Sequence, residues 1–352
     1  MKRVAIIGSH GLYANYGGWD QLVKNLAEKK SEEIEYLVFN SSDSAQINKS
    51  VPSGVIVKRL KLRASGFEGL FYDFLSIILC YWKVDTLLFL GVQGMPIIPF
   101  LKLFRKVKIV ANVGGIEWER PKFGFFAKTY LRACFKLSFI YSDYVILDNQ
   151  YYKIFEPEKN KAAVIVIPYG GEIDRTLEID DYLIDKYPFL RYEYFLSISR
   201  SLQDNQLDEL CESFSKSEFL LVLISNLTNS SYGMEVMKKW GSFSNIILIN
   251  GLYSKPELDL IRRKCKAYIH THTLCGTAPS LVEMIISGVP IFSVDRPQNR
   301  YTLNDEGYLY SSFSDLHKFL SLESDFKKFI PSENLKKLYD WNRIIRAYEM
   351  CF

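Results

Sequence analysis

The fold is decided by residues 270–283, His-Thr-His-Thr-Leu-Cys-Gly-Thr-Ala-Pro-Ser-Leu-Val-Glu. A buried strand ends here, Gly276 permits a tight turn, and Pro279 suits the first position of a helix, where a missing N–H costs nothing. The start of a helix presents backbone N–H groups that bind phosphate. Glu283 falls one turn into that helix, where its carboxylate can accept hydrogen bonds from two ribose hydroxyls. The alternative is that Glu283 only favours its own helix dipole.

Length and composition limit the class of protein. The chain has 352 residues, more than one hydrophobic core usually supports, so two domains are expected. A formal net charge of +4 gives no reason to expect a nucleic acid partner, but it is compatible with an anionic membrane face. The six cysteines form no Cys-x-x-Cys pair and no secretory signal precedes the first strand, so we expect a cytoplasmic protein with reduced thiols.

Short β-rich runs alternate with helical stretches along the whole chain, which predicts parallel, doubly wound sheets. The predicted strands are residues 4–8, 34–40, 55–62, 84–90, 107–113, 144–148, 164–168, 194–199, 219–225, 246–250, 267–270 and 290–294. The predicted helices of the second half include residues 207–214, 255–265 and 279–287. We therefore predict an α/β fold of two Rossmann-like domains that face a central cleft.

A polar, acidic stretch with little periodicity separates the two halves. We predict a first domain at 1–171, a linker at 172–191, a second domain at 192–332 and a closing helical segment at 333–352. The closing helix carries Trp341, Ile344, Ile345 and Tyr348 on one face, so it is expected to pack back on the first domain.

The apolar stretch 67–103 is interrupted by Lys83 and Asp85 before it reaches the roughly 20 residues of a spanning helix. A core helix followed by a buried strand is the first interpretation. Docking at a membrane interface is the second, because Phe67, Leu70, Phe71 and Phe74 fall at helical spacing with basic residues nearby in sequence.

The first βα turn, residues 8–20, places Gly17 and Gly18 at the start of a helix. Their distance from Gly8 is wrong for a dinucleotide fingerprint, which needs its glycines directly after the strand. Paired glycines at a helix start let the backbone approach a phosphate or a sugar closely. The alternative is an ordinary glycine-rich loop.

The chain resembles GT-B glycosyltransferases of the family 4 type, and more narrowly the bacterial rhamnosyltransferase-like group of capsule and O-antigen assembly. Four segments carry the resemblance across nearly the whole chain. They are residues 4–8 with Tyr16-Gly17-Gly18, the block Val113-Gly114-Gly115-Ile116-Glu117-Trp118-Glu119-Arg120, residues 199–206, and Gly276-Thr277-Ala278-Pro279-Ser280-Leu281-Val282-Glu283.

The resemblance implies that the first domain binds the acceptor and the second binds a nucleotide diphosphate sugar. Arg200 would clamp the diphosphate, and Asn205 would supply a second, neutral contact. Further donor contacts would come from the first-domain glycines, the glycine turn and the helix start. These residues are Gly17, Gly18, His272, Gly276, Thr277, Ser280, Leu281 and Glu283.

Two positions depart from the family pattern. A carboxylate usually stands where this chain has Cys275, and an Asp is expected where it has Gly114. Glu117 is then the nearest carboxylate in the first domain, either as a catalytic group or as a structural partner of Arg120 or Lys122. Trp118 and Arg120 would lie on the acceptor side.

No Asp-x-Asp cluster indicates a metal, so no cofactor and no metal are expected. His270 and His272 are predicted to point to opposite sides of the strand, with one in the core and His272 toward the donor. After the last predicted strand, Asn299 and Arg300 match the group's pattern, and Arg300 is interpreted as structural at least as readily as functional.

The leading hypothesis is a hexosyltransferase that acts with retention on a lipid-linked saccharide acceptor. Rhamnose is the first candidate for the donor sugar, followed by galactose or glucose, and contact with the cytoplasmic face of the inner membrane is expected. The alternatives are a GT-B nucleotide-sugar epimerase and a non-catalytic scaffold of polysaccharide assembly.

Overall fold

A computed structural model describes residues 1–14, 17–44, 49–119, 123–322 and 325–352. The chain divides into two compact units. The first combines Met1–Tyr169 with Trp341–Phe352, and the second is Gly170–Asp340. Each unit is built on one parallel β-sheet with helices on both faces.

The first unit has a seven-stranded sheet in the order β3-β2-β1-β4-β5-β6-β7. Its strands are β1 (Lys2–Ile7), β2 (Ile34–Asn40), β3 (Val55–Arg59), β4 (Thr86–Leu90), β5 (Lys108–Asn112), β6 (Tyr144–Leu147) and β7 (Ala163–Val166). Its helices before the second unit are α1 (Gly18–Lys29), α2 (Glu68–Cys80), α3 (Ile98–Leu101) and α4 (Phe125–Tyr141). Because neighbouring strands run parallel, each connection needs a crossover, and α1, α2, α3 and α4 supply those that follow β1, β3, β4 and β5.

The second unit has a six-stranded sheet in the order β10-β9-β8-β11-β12-β13. Its strands are β8 (Phe195–Ile198), β9 (Leu221–Ser225), β10 (Ile246–Asn250), β11 (Ala267–His270), β12 (Ile291–Val294) and β13 (Tyr308–Tyr310). Its helices are α5 (Asp181–Lys186), α6 (Leu207–Ser215), α7 (Ser231–Trp240), α8 (Lys255–Lys264), α9 (Pro279–Ser287), α10 (Pro297–Leu303), α11 (Phe313–Leu322) and α12 (Glu333–Leu338). The sequence prediction missed β13, which is only three residues long.

The closing helix α13 (Trp341–Glu349) belongs to the first unit, as predicted. Its buried face consists of Trp341, Ile344, Ile345 and Tyr348, and it joins α1 in the core on one face of the sheet. The Lys2 and Lys108 ammonium groups donate to the Phe352 carbonyl at 2.8 and 2.9 Å. The predicted continuous helix is broken between α12 and α13, at Tyr339 and Asp340.

The segment 172–191, interpreted from sequence as a linker, contains α5 and a short 3-10 helix at Pro188–Arg191. Leu183 and Phe189 are buried in the second unit. Its low periodicity reflects the shortness of these elements, because six residues make fewer than two helical turns.

Helix α2 corrects one sequence expectation. The stripe of Phe67, Leu70, Phe71 and Phe74 was interpreted as core, but Phe67 and Phe71 are exposed and the other two are half-buried. The face that packs on the sheet carries smaller or more polar side chains, among them Tyr72, Ser76 and Cys80. Within the described residues, no helix has the length and apolar character to cross a membrane.

Candidate functional site

The strand order marks one edge of the second sheet as the place for a ligand. The order reverses direction between β8 and β11. In open α/β sheets, ligands bind outside the carboxyl ends of the strands at such a reversal. The loops that follow β8 and β11 contain Arg200, Asn205, His272 and the glycine turn at Gly276. These predicted donor residues are therefore brought to one edge by topology.

Hydroxyl and amide groups tie these two loops together. Thr271 Oγ1 donates to the Asn205 carbonyl at 2.5 Å. The Thr273 backbone N–H and Oγ1 both donate to the Asp204 carbonyl, at 3.0 and 2.9 Å. Thr271 and Asn205 are buried, so the bond between them is shielded from competing water. The loop after β8 is thus held at a fixed position relative to the loop after β11.

Arg200 and Asn205 both lie in the loop after β8, but Arg200 is exposed and Asn205 is buried. The Arg200 side chain is exposed, and its carbonyl accepts from Asn205 Nδ2 at 2.7 Å and from the Leu202 N–H at 2.8 Å. The sequence analysis assigned Asn205 as a phosphate contact. In the structure its side-chain nitrogen instead donates to the backbone of the loop. A planar guanidinium on a fixed backbone is suited to bidentate contact with phosphate oxygens.

Helix α9 begins as the sequence predicts, with Pro279 at its first position and Ala278 as its N-cap. No side chain caps this helix start. Thr277 is buried, while Gly276 and Ser280 are partly exposed. The Leu281 side chain is fully buried in the core, so this predicted binding residue can contact a donor only through its backbone.

Glu283 takes part in a network of buried charges that the sequence interpretation missed. Its Oε2 accepts a hydrogen bond from Arg262 Nη2 of α8. The Arg262 side chain is 5% exposed and that of Glu283 is 24% exposed. One carboxylate oxygen of Glu283 is thereby fixed from beneath while part of the side chain remains accessible.

Asp259 completes the network below Arg262. Its Oδ1 accepts from Arg262 Nη1 at 2.5 Å, and its Oδ2 accepts from Lys255 Nζ at 2.8 Å and from the Asp174 N–H at 2.8 Å. Burial on its own would lower the pKa of Arg262, but the Glu283 and Asp259 carboxylates outweigh it and raise that pKa. The spacing of Lys255, Asp259 and Arg262 is visible in the sequence, where it is typical of exposed helical ion pairs.

His270, His272 and Cys275 lie together at the end of β11. Their ring nitrogen and sulfur atoms are within 4.8 Å of one another, and the two imidazole centroids are 4.3 Å apart. The expectation that the two histidines point to opposite sides is wrong, because β11 ends at His270 and strand alternation stops there. Burial, with a further contribution from His272, holds the pKa of His270 well below its usual value.

The glycine loop after β1 occupies the corresponding edge of the first unit, where the strand order reverses between β1 and β4. The buried Asp20 carboxylate accepts from the His10 N–H at 3.0 Å and from the Gly17 N–H at 3.3 Å. Gly18 is the first residue of α1. Gly17 has extended backbone torsions and nothing within 4 Å of an added Cβ, so the fold itself does not require a glycine there.

Gly114 follows β5 in a left-handed conformation, with φ of +63°. A Cβ at this position would lie 2.8 Å from Trp19 Cζ2. An Asp in the family position would be strained and would displace the Trp19 ring, which gives a physical reason for the departure.

The predicted acceptor-side residue Trp118 and its neighbour Glu117 differ in burial. Trp118 is buried and packs edge-on against Phe135 with centroids 4.7 Å apart, so its side chain anchors the short 3-10 turn from within the core. Glu117 on that turn is half-buried, and its N–H donates to the Gly115 carbonyl at 3.0 Å. Arg120 and Lys122 lie outside the described residues.

The chain was compared with protein families, with curated proteins and with solved structures. Residues 1–172 match a family model described as a domain of unknown function, DUF1972. No curated protein matches the chain.

The solved structures that resemble the chain over almost its whole length include the following three. Sucrose-phosphate synthase from Thermosynechococcus elongatus has a TM-score of 0.79 at 12% identity, covering 99% of this chain and 98% of that one. HepE from Anabaena, solved with UDP, has a TM-score of 0.71 at 14% identity and 99% coverage of both chains. The trehalose-6-phosphate synthase OtsA has a TM-score of 0.74 at 10% identity, covering 99% and 98%. Identities this low carry the fold alone, and the prediction of the GT-B fold is confirmed.

Proposed function

We propose that this protein is a glycosyltransferase that moves a hexose from a nucleoside diphosphate donor to a saccharide acceptor. The observation that carries the proposal is Glu283, held by Arg262 on a helix that starts beside the glycine turn after β11. A fixed carboxylate one turn into a helix is suited to a ribose diol, and the helix start is suited to a diphosphate. HepE, which shares the fold, has been solved with UDP and with UDP-glucose.

Each donor residue has a distinct role in this proposal. Arg200 neutralises the charge that develops on the leaving diphosphate, assisted by backbone N–H groups of Gly276 and Thr277. Glu283 accepts from the ribose hydroxyls. His272 contacts the donor. No metal takes part in the transfer itself.

The chemistry follows the retaining course implied by the family 4 resemblance. The bond between the anomeric carbon and the diphosphate oxygen breaks, and the acceptor oxygen bonds to that carbon on the same face. The acceptor hydroxyl proton passes to the departing phosphate oxygen, so the reaction requires no separate base. Glu117 orients the acceptor in this scheme. The donor sugar we propose first is rhamnose, with galactose or glucose next.

Thermal shift against UDP, GDP, dTDP and CDP, with their sugar conjugates, tests the proposal, because a ligand of the folded state raises the melting temperature. One nucleotide should give a clear shift, which Glu283→Gln should abolish. Arg200→Gln should mainly lower turnover. Lys216→Gln is a matched control, since Lys216 forms an exposed pair with Glu212 in the same unit. The absence of a shift with every nucleotide would contradict the proposal, and sugar conversion without an acceptor would indicate the epimerase.

The lipid-linked acceptor is supported by the surface of the first unit. Helices α2 and α3 and the start of α4 expose large apolar side chains that we call the apolar surface. These are Phe67, Phe71, Leu75, Ile78, Leu79, Trp82, Phe100, Leu103, Phe104, Phe125 and Phe126. They extend outward from the core that lines one face of the sheet, and such a concentration is uncommon on a monomer.

Two hydrogen bonds join parts of this surface. Tyr81, at the end of α2, donates to the Arg105 carbonyl at 2.6 Å, and Arg105 Nη1 returns a bond to the Tyr81 carbonyl at 2.7 Å. Exposed Lys83 and Lys106 lie next to Trp82 and Arg105 in the chain. Apolar side chains bordered by lysines match an anionic membrane, which we propose as the occupant.

Vesicle flotation tests this attachment. The protein should float with vesicles that contain anionic lipid and float less with neutral ones. A Phe71→Ser and Trp82→Ser double variant should lose flotation, whereas Leu322→Ser, an equally apolar and exposed position of the second unit, should keep it. Equal flotation of the double variant and the wild type would contradict the membrane contact.

A further inference from the structure

We propose that His270, His272 and Cys275 form a binding site for a divalent cation of the zinc class. The two imidazoles and the thiol bring their ligand atoms within 4.8 Å of one another. Two nitrogens and one sulfur are ligands that zinc prefers, and three protein ligands leave a fourth position for water. The site goes beyond the proposed function, which needs no metal.

Hydrogen bonding fixes which nitrogen of His270 carries the lone pair. The Tyr268 hydroxyl donates to the Ile198 carbonyl at 3.2 Å and lies 3.3 Å from His270 Nδ1. A phenol has one hydrogen, so with the Ile198 carbonyl as its acceptor Tyr268 accepts from Nδ1–H, and we assign the proton of the neutral ring to Nδ1. His270 Nε2 then carries the lone pair.

His270 Nε2 is the atom that most needs a partner. It is buried and makes no hydrogen bond within the described residues, although a buried polar atom without a partner is costly. A cation bound to Nε2 removes that cost. Tyr268 would then serve as the outer hydrogen-bond partner that metal-bound histidines usually have.

Asn299 holds the other two ligands in place. Its Nδ2 donates to the His272 carbonyl at 3.1 Å, and the Cys275 thiol lies 3.8 Å from its Oδ1. Asn299 is fully buried, whereas His272 and Cys275 are partly exposed, so a cation can enter from their side.

The fit requires a small movement. Zinc bonds of about 2.0–2.3 Å place tetrahedral ligand atoms about 3.3–3.6 Å apart. The side chains of His272 and Cys275 must therefore close by about 1 Å, which rotation about their torsions allows. On binding, Cys275 loses its thiol proton to solvent as the sulfur–zinc bond forms. The cation ties the end of β11 to the turn before α9.

Calorimetric titration of chelator-treated protein with zinc alone tests the site. One equivalent should bind, and the melting temperature should rise. With Co²⁺ in place of zinc, a thiolate-to-cobalt absorption band should appear in the near ultraviolet. Cys275→Ser should abolish this band and weaken zinc binding by more than about tenfold, since even the loss of an outer partner costs that much.

Two control variants test whether zinc binds to thiols or imidazoles elsewhere in the protein. Cys351→Ser keeps the hydrogen bond to the Ala347 carbonyl, and His317→Gln alters a histidine on α11. Both should bind zinc as the wild type does, whereas His272→Gln should bind it more weakly. No zinc binding, or equal binding in Cys275→Ser, overturns the proposal. The titration contains no nucleotide, so its failure is distinct from a failure of the glycosyltransferase proposal.

Discussion

Asp259 in the second unit and Asp73 in the first are both buried, and their charges are treated differently. Asp259 of the second unit is fully buried with Arg262 and Lys255 on its carboxylate. Asp73 of the first unit is also buried, and burial raises its pKa to about 7. The second unit thus stabilises a buried negative charge, and it does so directly beneath Glu283. At Asp73 the first unit instead favours the protonated acid.

This difference explains how the second unit can present a fixed carboxylate to a ligand. A single buried ion is expensive, but a chain of alternating charges distributes the cost and orients each member. Lys255, Asp259, Arg262 and Glu283 form such a chain, which ends at the partly exposed Glu283. The edge of the first unit relies on glycine turns and the buried Asp20.

Removing the central cation should have the largest effect. Arg262→Met leaves the buried Asp259 without its closest partner and is expected to destabilise the protein by about 3–5 kcal/mol. Urea unfolding measures the loss, and donor binding should weaken because Glu283 is released. Arg191→Met removes an exposed pair with Asp185 and should cost about 1 kcal/mol or less. A similar cost for both variants would show that the network is not a stabilising unit.

The two aspartates should respond in opposite ways to neutralisation at pH 8. Burial holds the pKa of Asp73 in the folded protein at about 7, above the ordinary value of an aspartate, so its contribution to stability is present at low pH and is lost as the pH rises through about 7. Asp73→Asn should therefore be more stable than the wild type at pH 8, with the gain shrinking toward pH 4. Asp259→Asn should be less stable at pH 8.

Urea unfolding of both asparagine variants between pH 4 and pH 8 measures these effects. A pH-independent difference for Asp73→Asn would contradict the assignment. It would mean that the mutation acts through packing rather than through a proton.

Gly114→Asp should have a moderate effect in the first unit. The substitution introduces the Asp that the family 4 resemblance implies, but it places a Cβ 2.8 Å from Trp19 Cζ2 at a positive φ, so a cost of about 1–3 kcal/mol is expected. Gly17→Ala is the control, because its extended backbone and open surroundings should keep stability within about 0.5 kcal/mol. Thermal unfolding compares the two, and a tolerated Asp would show that Trp19 moves freely.

Arg300→Gln should have the smallest effect. Arg300 bonds to Asp295 through Nε and Nη2, both at 2.6 Å, and to Asp305 at 3.1 Å, on the surface of the second unit. Exposed pairs of this kind contribute about 1 kcal/mol or less. If Arg300 is structural, nucleotide thermal shifts should match the wild type. A lost shift would instead make Arg300 a donor-binding residue.

Much of the fold could be predicted because its signals are local. Strands β2, β10 and β11 and helix α9 have the predicted bounds, since apolar runs, glycine turns and Pro279 act within a few residues. The C-terminal helix was predicted from its apolar face. The short β13 and α5 were missed, because elements of three and six residues carry too little periodicity.

The candidate site was predicted less completely. Arg200 and Glu283 were singled out from motifs, and both lie in the second unit. Arg262 was missed, because its partner Glu283 is 21 residues away and nothing in the sequence links them. Trp118 was placed with the acceptor, whereas the structure buries it against Phe135, since an apolar side chain on a short turn packs inward wherever a core is available.

The sequence by itself determined the alternation of strands and helices, the helix start at Pro279 and the carboxylate one turn later. These depend on backbone propensity and spacing, which act between near neighbours. The tertiary structure alone decided that Arg262 supports Glu283, and that Cys275 joins His270 and His272. The first depends on how α8 and α9 pack together, because Arg262 and Glu283 are 21 residues apart in the chain. The second depends on the course of the chain after β11 ends at His270.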